Sequence, residues 1–531
     1  MKPIRLMSGF LTVGVWTLLS RVLGFVRDIL IAGWLGTGPV AEAFLIAFSL
    51  PNMFRRFFAE GAFNTAFIPL FSKKLETADA PEKFANDAFA ALGTLLIGFT
   101  LVAQVFMPWL VLAMASGFVG DARFDLAVFF GRIAFPYILF ISLAALLSGV
   151  LNATGRFAAA AAAPVLLNII LIGAMLLAES GVLGGMMQVE TGSGAARTGL
   201  HHGTVLVWGV LIAGVAQLAL LWAAAARSGY RIRLQSPRLT PDLKRLAMIA
   251  LPAMLAGGVV QINLLVGRQV ASFYDGAIAW LSYADRLYQL PLGVVGIAVG
   301  VVLLPDLSRR LAARDDDGAR HALSRAGEVS LALTVPSAVA LVVIPLPLIS
   351  VLFQRGAFDA TDSAATALAV AIYGLGLPAF VLQKVLQPLY FAREDTRTPF
   401  RFAVVSMVVN IVVAVTMAYL VGYLGAAIGT TVAAWTMVVQ LARGTSGMGI
   451  VARFDDRFRT RLWRICAASA IMGATLWLVA WALAPALITP GWRYLALAAL
   501  VAVGIMVYFG AGQIIGAFRL TEFRGAARRR R

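Results

Sequence analysis

Eight cationic side chains lie inside stretches that are otherwise apolar: Arg21, Arg27, Arg55, Arg56, Arg132, Arg268, Arg286 and Lys384. Arginine is the residue type suited to holding phosphate oxygens, because its planar fork donates two parallel hydrogen bonds and it never deprotonates. A cation at the centre of a membrane helix costs at least about 2.5–3.5 kcal/mol on insertion scales, so its retention there points to function. The acids in or near the same stretches are Asp28, Glu42, Glu60 and Asp285, half as many. A purely structural network would tend toward neutrality, since unpaired buried charge is expensive. The excess of arginine therefore predicts an anionic ligand, with Arg21, Arg27, Arg55 and Arg286 binding it. Asp28, Glu42, Arg56, Glu60, Arg268 and Asp285 are the predicted supporting charges. Structural readings compete at several positions. Arg21 and Asp28 are seven apart on one helix face with Gly24 between them, and Arg56 and Glu60 form an i,i+4 pair. Arg132 and Lys384 read best as side chains that snorkel to an interface.

Other chemistry leaves no trace in the sequence. There is no G-x-x-x-x-G-K-[ST], and none of the six lysines follows a glycine, so the chain is not expected to hydrolyse ATP. His201, His202 and His321 are placed in loops, and no H-E-x-x-H or cysteine cluster offers a metal site. No cofactor, no metal and no catalytic residue is predicted. An intramembrane glycosyl- or phosphotransferase stays open as a reading of another class, as does a non-transporting scaffold.

The elements that must position these charges follow from composition. Of 531 residues, 60% are apolar and 13% charged, with a mean hydropathy of +0.86. Soluble domains carry about 45–50% apolar and about 25% charged residues, so this chain lacks the polar surface to coat a soluble particle. Disorder is excluded by the same numbers, and a disulfide scaffold by the single Cys466. An all-α polytopic membrane protein remains. Runs near the length a bilayer crossing needs, about 20 residues, lie at 6–36, 39–72, 84–115, 124–152, 157–180, 203–226, 243–274, 277–307, 324–353, 361–391, 400–421, 424–442, 462–486 and 492–517. About fourteen spans are expected; the first two are long enough that they must tilt, break or run on past the bilayer. The first is read as a retained span, not a signal peptide.

The net charge of +18 comes from 44 Lys+Arg against 26 Asp+Glu. With the N-terminus inside, one set of loops holds the clusters at 73–83, 227–245, 309–325, 393–401 and 443–464 and the tail residues Arg524 and Arg528–Arg531; the opposite loops hold Arg123, Arg197, Arg355 and Arg493. That asymmetry predicts both termini in the cytoplasm. The basic tail is read as facing anionic lipid headgroups, with no nucleic-acid partner.

The chain also repeats itself with a shift of about 240 residues. Leu50-Pro51 recurs as Leu290-Pro291, Pro136 as Pro378, Asn168 as Asn410 and Arg27 as Arg268. The shift spans about six helices, so the copies enter the membrane in the same sense, as parallel repeats with a substrate site between them. The expected lobes are 1–230 and 231–454, six helices each, with 455–531 adding two helices and the basic tail.

Several of these segments are familiar. Ser20-Arg21-Val22-Leu23-Gly24-Phe25-Val26-Arg27-Asp28 resembles the signature of the MurJ/MviN lipid II flippases, as does the run from Leu50-Pro51-Asn52 through Arg55-Arg56 to Glu60-Gly61-Ala62-Phe63. Tyr283-Ala284-Asp285-Arg286-Leu287 is similar to that family's second-half motif, and Leu352-Phe353-Gln354-Arg355-Gly356 also matches. The resemblance implies the fourteen-helix fold of the MOP exporter superfamily, two lobes around a cationic cavity, and export of the undecaprenyl-diphosphate-linked peptidoglycan precursor, lipid II, across the cytoplasmic membrane by alternating access. It implies that Arg21, Arg27 and Arg286 engage the diphosphate, that Arg55 is needed, and that Arg56 and Glu60 belong to the same charged region. It further implies a groove for the polyprenyl tail along the last two helices. The expected partners are lipid II, membrane lipids and the cell-wall synthesis machinery, and the chain is expected to act as a monomer. One departure is Glu42, where the family carries Asp. A flippase for another lipid-linked saccharide, or a drug antiporter of the same fold, is the alternative within transport.

Overall fold

The computed structural model describes residues 6–56, 62–77, 79–180, 194–233, 235–238 and 240–518. Among these residues the regular secondary structure is helical, joined by turns and short loops. One isolated bridge, Arg355 to Phe358, is the β-pairing present. The physical cause is that hydrocarbon offers no partner to backbone N–H and C=O groups, so an apolar run must satisfy them within itself.

In chain order the helices are α1 Leu6–Leu35, α2 Pro39–Arg55, α3 Ala62–Glu76, α4 Pro81–Val105, α5 Met107–Met114, α6 Ala122–Ala134, α7 Tyr137–Ala153, α8 Phe157–Glu179, α9 Gly194–Arg227, α10 Pro241–Ser272, α11 Ala277–Ala312, α12 Asp316–Val343, α13 Pro345–Phe353, α14 Ala360–Phe391, α15 Arg397–Val421, α16 Leu424–Gly444, α17 Asp456–Ala482, α18 Ala484–Ile488 and α19 Trp492–Ile515. Ten stretches among the described residues are long and apolar enough to cross a bilayer. Within the long 39–72 run, α2 is described to Arg55 and α3 from Ala62, and residues 57–61 lie outside the described residues. Four other predicted runs are each two helices joined at a proline: Pro108 opens α5, Pro136 precedes α7, Pro345 opens α13 and Pro485 opens α18. Proline lacks the N–H that would continue the preceding helix and disfavours helical backbone before it.

The chain divides into two compact units, Met1–Ala279 with Arg355–Phe358, and Trp280–Gln354 with Asp359–Arg531. In the first, α1 packs on α8, α8 on α9, α2 on α6, and α7 on α9. Phe44, Phe67, Phe71, Phe130, Phe135 and Tyr137 fill its interior. In the second, α12 packs on α14 and α17, α14 on α16, and α15 on α16. The last of these contacts is close because Gly425 and Gly429 present no side chain: a Cβ on Gly425 would stand 2.4 Å from the Ala418 nitrogen. Small residues of this kind drive helix association where the surrounding solvent is itself apolar. The last helices join this unit through Ile465, Met472, Leu476, Leu500 and Tyr508, and through Glu328 of α12, which accepts from Arg325 and from Arg461 of α17. Outward faces are apolar too. Leu101 and Val105 on α4, and Trp477 and Trp481 on α17, are all more than half exposed, the reverse of a soluble surface.

Two sequence expectations are corrected. The three histidines are helical: His201 and His202 lie in α9, which begins before the predicted span, and His321 lies in α12. His202 is buried, 3.2 Å from Glu179 Oε2, so it is no solvated loop residue. Arg123, read as a loop charge, lies in the first turn of α6 and is 6% exposed.

Candidate anion-binding site

Helix α1 carries Arg21, Arg27 and Asp28. Arg21 is half-buried, whereas Arg27 and Asp28 are each 6% exposed. The Arg27 Nε and Nη2 both donate to Asp28 Oδ1, at 3.0 and 2.7 Å, and Nη1 donates to Asn168 Oδ1 at 2.9 Å. The Arg27 guanidinium also lies 5.9 Å from the centroid of the Phe48 ring of α2. Asn168, 5% exposed on α8, donates through Nδ2 to the Ser20 carbonyl at 2.9 Å, so one amide spans α1 and grips the guanidinium. The structure thus gives Asp28 to its neighbour Arg27. Replacing Asn168 by Leu strands a charged donor and should lower stability by about 1–3 kcal/mol. The check is thermal unfolding of the purified protein in detergent; a melting temperature equal to the parent's would contradict the bracing role.

The remaining predicted residues are distributed as follows. Arg55 ends α2, half-buried, and Arg56 caps it, exposed. Glu60 lies outside the described residues. Arg268 is half-buried on α10, in the first unit. Asp285 and Arg286 are half-buried on α11, in the second unit. Asp285 accepts from Gln289 one turn on. The helix that carries Arg286 is fixed to α14 on both sides of it. Trp280 Nε1 donates to Asp362 Oδ1 at 2.9 Å, and Asp362 closes a capping box with Asp359 at the start of α14. On the other side, Tyr288 packs against Tyr373 and Phe380 at ring separations of 5.1 and 5.2 Å. Arg132 and Lys384 are exposed, as snorkelling side chains would be.

Glu42 sits in a second, fully built ionic site of the first unit. It is 1% exposed and accepts from Arg123 Nη1 at 3.0 Å and from the Ile278 backbone N–H at 3.0 Å. Arg123 also reaches Asp121 Oδ2 at 2.5 Å and Asp275 Oδ1 at 2.8 Å, with its guanidinium 4.6 Å from the Phe118 ring centroid. Burial pushes the Asp121 carboxyl up, but the backbone N–H and guanidinium of Arg123 outweigh it and hold the group below its ordinary range. One guanidinium therefore fastens α2, the N-cap of α6 and the turn between α10 and α11.

In the second unit an apolar groove of about 520 Å³ runs between α13 and α19, lined by Leu348, Val351, Leu352, Leu497, Val501 and Ile505. No cluster of three or more metal-ligating side chains occurs among the described residues.

Known proteins share this sequence and fold. The family model described as "Lipid II flippase MurJ" matches residues 31–503. The chain belongs to the MurJ lipid II flippase family. It is 44% identical over 533 residues to a probable lipid II flippase MurJ of Rhizobium meliloti (strain 1021), covering 99% of this chain and 97% of the relative. It is 32% identical over 551 residues to the corresponding protein of Vibrio cholerae serotype O1 (strain ATCC 39315 / El Tor Inaba N16961), covering 98% of each. A solved MurJ, in an inward closed conformation, superposes with a TM-score of 0.77 at 25% identity, covering 94% of this chain and 98% of that one. An inward-facing MATE transporter of the MOP superfamily superposes with a TM-score of 0.66 at 15% identity, over 82% and 95%, which shows the fold alone.

As a MurJ family member the chain is a multi-pass membrane protein of MOP fold. Two polar residues that carry its ionic sites, Arg123 and Asn168, were missed by sequence reasoning as parts of a site. Asn168 left a signal, its counterpart Asn410 in the duplication. Arg123 left none, because a single arginine beside Asp121 at a helix start looks like any solvated loop charge.

Proposed function

We propose that this chain carries lipid II from the inner to the outer leaflet of the bacterial cytoplasmic membrane by alternating access. The observation that carries the reading is the MurJ family match over residues 31–503, on a chain whose apolar segments hold twice as many cations as acids. Fourteen crossings, both termini in the cytoplasm, and two parallel lobes at 1–230 and 231–454 with 455–531 appended complete the proposal. The basic loop asymmetry and the offset of 242 residues between Pro136 and Pro378 support it.

In the proposed cycle Arg21, Arg27, Arg55 and Arg286 receive the diphosphate, with Asp28, Glu42, Arg56, Glu60, Arg268 and Asp285 setting the local charge. Asp28 takes the Nε/Nη2 fork of Arg27 and Asn168 takes one Nη1 hydrogen, so Arg27 would offer the diphosphate one remaining N–H on each terminal nitrogen, in an orientation already fixed. The polyprenyl tail lies in apolar surroundings along the last two helices, where the α13–α19 groove offers matching surface. The protein works as a monomer beside the cell-wall synthesis machinery, and it changes the position of its substrate, not its covalent structure. The membrane potential biases such a cycle, because a unit charge crossing 100 mV changes energy by about 2.3 kcal/mol.

Depletion from cells tests the proposal: lipid II should accumulate, chemically unchanged, on the inner leaflet. Conversion of lipid II to another compound by the purified protein would replace transport with transferase chemistry.

A further inference from the structure

One side of α11 around Arg286 is polar. Ser282, Asp285, Arg286 and Gln289 are half-buried, and at about 100° per residue the four fall within an arc of about 100°. On the other side Tyr283, Ala284 and Leu287 are 2%, 0% and 7% exposed. The Trp280–Asp362 hydrogen bond and the packing of Tyr288 on Tyr373 and Phe380 hold this stretch to α14. A braced helix therefore presents the polar strip.

Ionisable and polar side chains inside a membrane helix are costly and are kept where they serve a purpose. Arg286 is proposed to receive the diphosphate, but its neighbours are the wrong types for more phosphate. A carboxylate repels an anion, and serine and glutamine carry no charge. They suit a neutral group rich in O–H and N–H. Gln289 donates through Nε2 to Asp285, one turn back, which orients both side chains. A primary amide both donates and accepts, and a carboxylate accepts from several donors at once. An i,i+4 pair of this kind can also be purely structural, so a test must separate the two roles.

We infer that Ser282, Asp285 and Gln289 read the sugar joined to the diphosphate, with Asp285 accepting from its hydroxyls and the Gln289 amide pairing with its acetamido group. The inference rests on the lipid II reading proposed above. Gln289 lies about 4.5 Å along the helix axis from Arg286, where a group bonded directly to a phosphate held by Arg286 would reach. Asp285 is then a selectivity element. It disfavours a bare diphosphate lipid, whose charge it meets with no hydroxyl to offset it, and favours a glycosylated one.

Two lipids separate sugar reading from diphosphate binding. The purified full-length protein is titrated with lipid II and with undecaprenyl diphosphate, which lacks the sugars. The parent should bind lipid II more tightly. Gln289→Leu, close in size and suited to a membrane helix, should weaken lipid II about five- to tenfold, the effect of losing one or two neutral hydrogen bonds. Undecaprenyl diphosphate should stay within about twofold. Asp285→Asn should weaken lipid II by a similar factor and tighten undecaprenyl diphosphate, because a like charge is removed. Opposite shifts of the two ligands cannot come from a loosened helix. A variant of either kind that keeps the parent's ratio of the two affinities would overturn the strip and leave the lipid II reading standing. So would a parent that binds undecaprenyl diphosphate as tightly as lipid II. A parent that binds neither lipid would remove the lipid II reading, and the strip with it.

Discussion

Replacing Arg286 by Ala should abolish the proposed export of lipid II, and replacing Arg21 should do the same. Each guanidinium is proposed to donate to the diphosphate, and hydrogen bonds to charged groups contribute about 1.5–3 kcal/mol apiece. Losing a bidentate pair therefore removes on the order of 3–5 kcal/mol, or about a hundred- to several-thousandfold in binding. Lysine at either position keeps the charge without the planar fork and should fall between alanine and the parent. Arg132→Ala is the matched control. That side chain is exposed at the end of α6, and its loss should leave export within about twofold, as surface changes usually do. The measurement is growth of a strain that relies on each variant, with membrane levels of the protein checked in parallel. Normal growth on Arg286→Ala at ordinary protein levels would remove Arg286 from the site.

A second large effect is expected in stability. Arg123→Ala leaves Glu42, 1% exposed, as a buried carboxylate without its cation, at a cost of about 3–5 kcal/mol. The Ile278 N–H still donates to it, but neutral backbone donors do not replace a guanidinium. Adding Glu42→Gln removes the stranded charge while keeping an oxygen for Ile278. The double variant should therefore be more stable than Arg123→Ala alone, with a coupling of about 1–3 kcal/mol across the cycle. Thermal unfolding of the four proteins in detergent measures it. Simple addition of the two single effects would show that Arg123 and Glu42 do not act as a pair. The glutamate is also explained by this geometry. Its carboxylate spans from Arg123 to the start of α11, where an aspartate is one methylene shorter.

Much of the architecture was legible because a membrane makes a local demand. Each crossing must be a long apolar run. The breaks at Phe135-Pro136 and Ile344-Pro345, inside runs read as single crossings, were not legible, because Pro164, Pro336 and Pro378 lie within unbroken helices. The family is written in contiguous motifs around Arg21–Asp28 and Leu50–Phe63. The candidate site was legible as residue types, since an arginine inside an apolar run stands out whatever its partners. Its pairing was not. Asp28 is held by its neighbour Arg27, whose guanidinium also reaches Asn168, 141 residues away on another helix.

The sequence by itself determined that this is an all-helical membrane protein of the MurJ family, with cations concentrated in its first two apolar segments. Composition and period suffice for that, because bilayer length and backbone hydrogen bonding act along the chain. Only the tertiary structure decided which charges neutralise one another. It made Arg123 a buried junction for Glu42 and Asp275, and it set Asn168 against Arg27. Those outcomes depend on contacts between residues 81 to 152 positions apart, where a local pattern carries no information about which partner is near. The cost of leaving a buried charge or backbone group unpaired selects the partner once the helices have packed.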